Sequence, residues 1–424
     1  MSETMRSTII LTGLLILAPS AHAAPYQWHE IKSLASPENP SLQSARRNWE
    51  ASRAGVKKSY GAFLPEINLS ARRTRTVTEV SILETKTRSR AYTVAASWNL
   101  FAGFSSVAGV DRAKAGESEA LAREDLTSSE LRYQLRRTFF SVYVQQERIR
   151  LFERILKRQQ QNEKLVSLKY DNGTEARWNV LKTRADRERA EYNLEAAKAD
   201  LASAREQLAR HLYLETLPPR PVDAAGLALA PVPALNGGET RAALHPELKA
   251  SEASEARLAS DRVLARSTFL PTIDLTYSRG RDQNEIGSRT RTDTDTFAIV
   301  AQWNIFNGFS DYHGVQQANL AREAAELDTQ VVARRILADL RSAHSSLQLA
   351  QGRLPSAKSL REAAEERVKT VSAQYRSGLK TYLDWEQAEA QLLETEQQEV
   401  TALSTALDAI AAFERASGIT LEEP

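Results

Sequence analysis

The chain contains no cysteine among its 424 residues. That removes thiol catalysis, CxxC redox chemistry, zinc knuckles and disulfide frameworks. Charge of one sign is lacking too. The 56 Lys+Arg against 54 Asp+Glu leave a net charge of +2, so no basic field exists to hold nucleic acid. Six scattered histidines form no HExxH and no carboxylate cluster, and no P-loop, dinucleotide fingerprint or Gly-x-Ser-x-Gly occurs. Neither a metal site, a cofactor nor a catalytic residue is expected, and the chain does not read as an enzyme. Long hydrophobic runs are missing as well. The longest, Thr8 to Ala18, is about half of what a spanning helix needs. It ends at Pro19-Ser20-Ala21-His22-Ala23, with the small-x-small spacing of a cleavage site, so residues 1–23 read as a secretory signal peptide starting at Met1 or Met5. The mature chain, from Ala24 onward, could cross a membrane only as β-strands.

What the sequence does contain is one unit twice. Asn39-Pro40-Ser41-Leu42 recurs as His245-Pro246-Glu247-Leu248, and Phe63-Leu64-Pro65 as Phe269-Leu270-Pro271. Trp98-Asn99-Leu100-Phe101-Ala102-Gly103-Phe104 recurs as Trp303-Asn304-Ile305-Phe306-Asn307-Gly308-Phe309, and Tyr170-Asp171-Asn172-Gly173 as Tyr375-Arg376-Ser377-Gly378. The first two pairs are offset by 206 and the last two by 205. The repeats span 24–212 and 245–417, joined by a linker at 213–244 rich in Pro, Gly and Ala and completed by a tail at 418–424.

Each repeat opens with a helix of about 20 residues that stops before the Leu-Pro. Two segments of period-2 alternation come next, over 64–101 and 270–306. Tyr92, Val94, Ala96, Trp98 and Leu100 share one face, as do Phe297, Ile299, Ala301, Trp303 and Ile305. These strands are expected to be about 10 residues long, a membrane-crossing length. Arg73–Arg90 and Arg279–Arg291 are expected to be polar tips, and Tyr92, Trp98, Phe297 and Trp303 an aromatic girdle. Four strands cannot close a membrane barrel, so several protomers must share it. From Phe104 to Tyr170 and from Phe309 to Tyr375 the pattern is helical, each tract roughly 100 Å long at 1.5 Å per residue. Ile336, Leu340, Ala343, Leu347 and Ala350 step by 4, 3, 4, 3, as in coiled-coil packing. Pro355 is expected to kink or interrupt the second tract. Turns at Asn172-Gly173 and Ser377-Gly378 send shorter helices back to 212 and 417.

The ordered, duplicated set of Leu-Pro, β-hairpin, Trp-Asn-[Leu/Ile]-Phe-x-Gly-Phe and Tyr-x-x-Gly, with Asn179 or Asp384 six residues after the glycine, resembles the outer membrane efflux protein family, the TolC-like channel-tunnels. The resemblance implies a mainly α protein with a membrane β-barrel: a homotrimer whose four strands per protomer make a 12-stranded barrel. Duplicated helical hairpins would form a periplasmic tunnel, belted by the linker and termini. It implies the outer membrane of a Gram-negative bacterium, and the family branch without a lipidated cysteine. As partners it implies a periplasmic adaptor and, through it, an inner-membrane RND or ABC transporter; the cargo, small molecules or protein, stays open. The family's periplasmic gate maps onto Tyr375, Lys380, Asp384 and Gln387, and onto Glu175, Trp178 and Asn179. Lys380, Asp384 and Gln387 are expected on one helix face, with Glu175 as a partner for Lys380. The adaptor-docking tips map onto Asn172, Gly173 and Thr174 and onto Ser377, Gly378 and Leu379. The alternative reading is a periplasmic coiled-coil scaffold without a pore.

Overall fold

A computed structural model describes residues 24–35, 39–80, 83–228, 238–286 and 288–423. The expected signal peptide lies outside these residues. In chain order the elements are α1 (Trp28–Ala35), α2 (Pro40–Ser59), β1 (Glu66–Val80), β2 (Leu83–Ala102), α3 (Ser105–Asp171), α4 (Arg177–His211), α5 (Ala225–Ala228) and α6 (Gly238–Leu244). The second repeat adds α7 (Pro246–Ser267), β3 (Thr272–Ile286), β4 (Ser288–Gln302), α8 (Ser310–Arg376) and α9 (Tyr382–Ala416).

The repeated motifs turn out to be junctions between elements. Asn39 caps α2, its side chain accepting from Ser41 N and Leu42 N, while Pro40 occupies the first turn, where no N–H is needed. His245 does the same for α7, its Nδ1 accepting from Glu247 N. Trp98 Nε1 donates to Phe63 O and Trp303 Nε1 to Phe269 O, tying the strand ends back to the Phe-Leu-Pro segments. The Gly-Phe pairs are consecutive left-handed residues, Gly103 at φ 59° with Phe104 at 70°, and Gly308 at 69° with Phe309 at 66°. They swing the chain from strand to rod.

One expectation fails, and another fails in part. The strands have 15, 20, 15 and 15 residues, not about 10. Pairing runs on through the charged segments, from Arg73↔Arg90 to Val80↔Leu83 and from Arg279↔Asp295 to Ile286↔Ser288. Thr, Ser and Arg alternate there, and the β-branched threonines favour a pleated ladder over a loop. Pro355 does not interrupt the second rod either, since α8 is continuous over 67 residues. Proline's fixed φ suits a helix. Leu347 and Ala350 before it and Ala357 and Ala364 after it are buried, so packing on both sides holds the rod together.

The four strands make one antiparallel meander in the order β1-β2-β3-β4. The helices form a wall: α3 and α8 run its full height, α2 and α7 flank them toward the sheet, and α4 and α9 flank them toward the far end. Midway, α1, the linker and the C-terminal segment gather on α3 around Phe139, Phe140, Leu208, Leu407 and Leu421. Tyr26 pairs with Val222 there. Arg132 and Arg136 both grip Glu414 of α9, and Arg132 also donates to the carbonyls of Thr420 and Glu423.

Candidate functional site

The far end of the wall holds the two helix reversals. Both use one scheme. Gly173 (φ 72°) donates to Tyr170 O and Gly378 (φ 81°) to Tyr375 O, and the next residue, Thr174 or Leu379, reaches Lys169 O or Gln374 O. Glycine supplies the positive φ such a reversal needs. Asn172, Thr174, Ser377 and Leu379 are exposed, so both tips present their surfaces to solvent.

Behind the tips lies an aromatic core of Val166, Tyr375, Tyr382 and Trp385. The Tyr375 ring stacks on Trp385 at 5.0 Å with 6° between the planes, and Trp385 Nε1 donates to Ser372 Oγ at 3.0 Å. Lys169 Nζ sits 4.6 Å from the centre of the Tyr375 ring, and Trp178 meets Tyr382 edge-on at 5.6 Å. The Tyr375 hydroxyl donates to Glu175 Oε2, joining the two hairpins, while Asn179 Nδ2 and Ala176 N donate to Glu175 Oε1. Burial pushes the Tyr375 and Tyr382 phenols well up, and the neighbouring carboxylates push further, so Tyr375 stays a donor at every physiological pH.

Lys380 and Asp384 are placed differently from expectation. Helix α9 begins at Tyr382, so Lys380 lies outside it and does not share a helix face with Asp384 and Gln387. Thr381 is the N-cap. Its hydroxyl accepts from Asp384 N while Asp384 Oδ2 accepts from Thr381 N, a capping box. The Thr381 hydroxyl, which also donates to Asp384 Oδ2, and then the Thr381 N–H hold the Asp384 carboxyl below its ordinary range. Lys380 Nζ lies 3.7 Å from Asp384 Oδ1. The expected Glu175–Lys380 partnership is therefore absent within the protomer: Glu175 is taken by Tyr375 and Asn179. Gln387 is exposed one turn further along α9.

A second tier crosses between the hairpins higher up. Lys182 bridges to Glu386 at 3.3 Å. Arg158 of α3 forks onto Glu396 at 3.0 and 2.7 Å and approaches Glu389 at 3.0 Å. Arg158 Nε and Glu389 Oε2 are buried without hydrogen-bond geometry. Burial pushes Glu389 up against the pull of Arg158. Sequence reasoning missed this tier, and it missed Tyr382 and Trp385. For the aromatics a signal existed: Tyr375, Tyr382 and Trp385 flank one turn, the last two at i, i+3.

At the sheet, Tyr92, Trp98 and Phe297 are exposed on one face together with Ile67, Leu69, Val94 and Ile299, and Trp303, just past the end of β4, is exposed as well. The opposite face carries Ser70, Thr93, Ser278 and Thr296. Among the described residues no helix is long and apolar enough to cross a membrane, and no cluster of metal-ligating side chains occurs.

Comparison with known proteins agrees in both sequence and shape. Over 334 residues the chain is 24% identical to Protein CyaE of Bordetella pertussis, covering 75% of this chain and 69% of that one. Its fold matches the solved structure of CusC with a TM-score of 0.83 at 16% identity, over 92% of this chain and 91% of that one. It matches VceC from Vibrio cholerae at 0.80 and 16% identity, over 93% and 96%. The open-state MtrE channel of Neisseria gonorrhoeae matches at 0.79 and 19% identity, over 92% and 88%. The outer membrane efflux protein family is matched over residues 32–212 and 239–419, one stretch per repeat. This chain belongs to that family and is a protein of the outer membrane.

Proposed function

We propose that the protein is the passive exit duct of a tripartite export system, closed from three copies of the chain into a 12-stranded barrel and a helical tunnel. The observation that carries this reading is an asymmetry between the repeats. Helices α3 and α8 are offset by 205 throughout, yet their equivalent residues differ in burial. Val144 and Ile155 of α3 are 8% and 3% exposed, while Leu349 and Leu360 of α8 are 76% and 54% exposed. Within the chain α3 packs against α2, α4, α7 and α9, whereas α8 packs against α7, α9 and the short α6. The sheet repeats the pattern. Trp98 to Ala102 pair with β3, but the equivalent Trp303-Asn304-Ile305-Phe306 has no strand beside it and leaves β4 at Gln302. Another copy's first repeat supplies what is missing on both counts, and head-to-tail contacts of this kind close into rings.

In that ring the apolar face with its girdle of Tyr92, Trp98, Phe297 and Trp303 faces lipid, and the Ser/Thr face lines the lumen. The Tyr375–Glu175–Asn179 tie and the Lys380–Asp384 pair, with exposed Gln387 beside them, form the periplasmic gate. The tips at Asn172–Thr174 and Ser377–Leu379 dock a periplasmic adaptor. A duct has no motor, so an inner-membrane transporter supplies the energy and selects the cargo. The test is the mass of the detergent-extracted assembly together with its conductance in planar bilayers. Three protomers and discrete channels are expected; release by urea alone, without conductance, would favour a pore-free scaffold.

A further inference from the structure

The two β-hairpins are equivalent in position but not in charge. On the first, the lipid-facing side beyond Tyr92 and Ala71 carries two successive rungs of opposed arginines before it reaches Val77 and Lys86, and β3 places Gln283 beside Arg90 and Glu285 beside Arg88. Arg73 lies opposite Arg90, and Arg75 opposite Arg88. All four are exposed, and among the described residues none of their guanidinium groups has an ion-pair partner. Like charges directly opposite on a ladder, with Cβ atoms about 5 Å apart, are destabilising. The second hairpin shows the ordinary solution at the equivalent positions of the repeat, on the rungs beside Val94 and Tyr92. Arg279 pairs with Asp295 at 3.7 Å, Arg281 with Asp293 at 2.7 Å, and Arg291 with Asp293 at 2.9 Å.

We propose that the Arg73, Arg75, Arg88 and Arg90 quartet is a binding site for phosphate groups on lipid headgroups of the outer leaflet, one site per protomer. Three features select this ligand. The quartet continues the apolar face, so it faces the membrane and not the lumen. It begins one alternation step, about 7 Å, beyond the aromatic end of the apolar band, which is headgroup level. Four guanidinium-bearing residues on two successive same-face rungs match the oxygens of phosphomonoesters, which accept such forks bidentately. Binding there relieves the repulsion that the first hairpin carries alone. The site rests on the membrane-barrel reading of the sheet.

The test uses the assembled full chain in detergent, with native mass spectrometry and bilayer conductance read on the same preparation. The probes are bis-phosphorylated lipid A, phosphatidylcholine and inorganic phosphate. Wild type should retain lipid A selectively over phosphatidylcholine. The quadruple variant R73Q/R75Q/R88Q/R90Q should bind it about tenfold more weakly or worse, as expected when several charge-assisted forks are lost. The Lys-for-Arg quadruple should keep part of the binding, and the charge-neutral control R281Q/D293N should keep all of it. Should the quadruple fail to assemble, the doubles R73Q/R90Q and R75Q/R88Q each lose part of the retention. Equal retention by wild type and the Gln variants, or of the two lipids, overturns the site. So does displacement by excess inorganic phosphate, which would mark a free-anion site. A wild-type chain that retains lipid A selectively but never conducts overturns the barrel reading, whereas conduction without lipid selectivity overturns this site alone.

Discussion

Tyr375 is held three ways: its ring by Trp385, its hydroxyl by Glu175, its face by Lys169. Tyr375→Phe keeps the stacking and deletes only the tie between hairpins, so it should raise single-channel conductance in planar bilayers without lowering the melting temperature. Unchanged conductance would remove this tie from the gate. Glu389 makes a prediction about pH. Its folded pKa is raised by burial, so the folded state binds the proton more tightly than the unfolded chain does. Its contribution to stability is full below the ordinary glutamate value of 4.5 and is lost as pH rises through the folded pKa. Glu389→Gln should therefore raise the melting temperature more at pH 7.5 than at pH 4, with Arg158 still paired to Glu396. Of the residues at this end, the turn glycines were legible because a tight reversal demands them. Within the protomer Glu175 and Lys380 take other partners, because charge complementarity in a sequence says nothing about which hydroxyl or cap reaches the carboxylate first.

The long rods, the reversals and the duplicated hairpins were all readable, because each rests on strong periodicity or on a glycine or proline with a conformational reason. Strand length was not. A run of Arg, Thr and Asp is as polar as a loop, and only cross-strand pairing reveals that it stays in the ladder. The continuity of α8 through Pro355 was hidden for a related reason, since local propensity ignores the packing on either side. That packing makes a measurable claim. Proline in a helix interior is disfavoured by about 3 kcal/mol relative to alanine, so Pro355→Ala should raise the melting temperature while leaving the helical circular dichroism unchanged. A loss of stability would show that the rod needs its proline. At the strand-to-rod corner, a Cβ on Gly103 would lie 2.7 Å from Ser267 O, with φ already positive. Gly103→Ala should then destabilise by at least the roughly 1–2 kcal/mol of a left-handed residue, read as a fall in melting temperature.

For the whole molecule, the asymmetry between α3 and α8 separates folding from assembly. Leu349→Asp on α8 should leave the protomer folded yet stop it reaching the trimer mass, whereas Val144→Asp at the equivalent position of α3 buries a charge and should unfold the protomer itself. Equal effects of the two substitutions would mean that the exposed stripe is not an interface. The duplication has a further consequence. Six identical single repeats could build a wall of the same shape, but every tip and every hairpin would then carry the same residues. Joining two copies in one chain lets them diverge. One tip carries Glu175 and Asn179 while the other carries Lys380 and Asp384, and one hairpin keeps bare arginines while the other neutralises its own. A ring with six near-equivalent positions thereby gains two alternating kinds of surface. It can assign closing to one and contact with other molecules to the other, and each can then change in evolution without disturbing its neighbour.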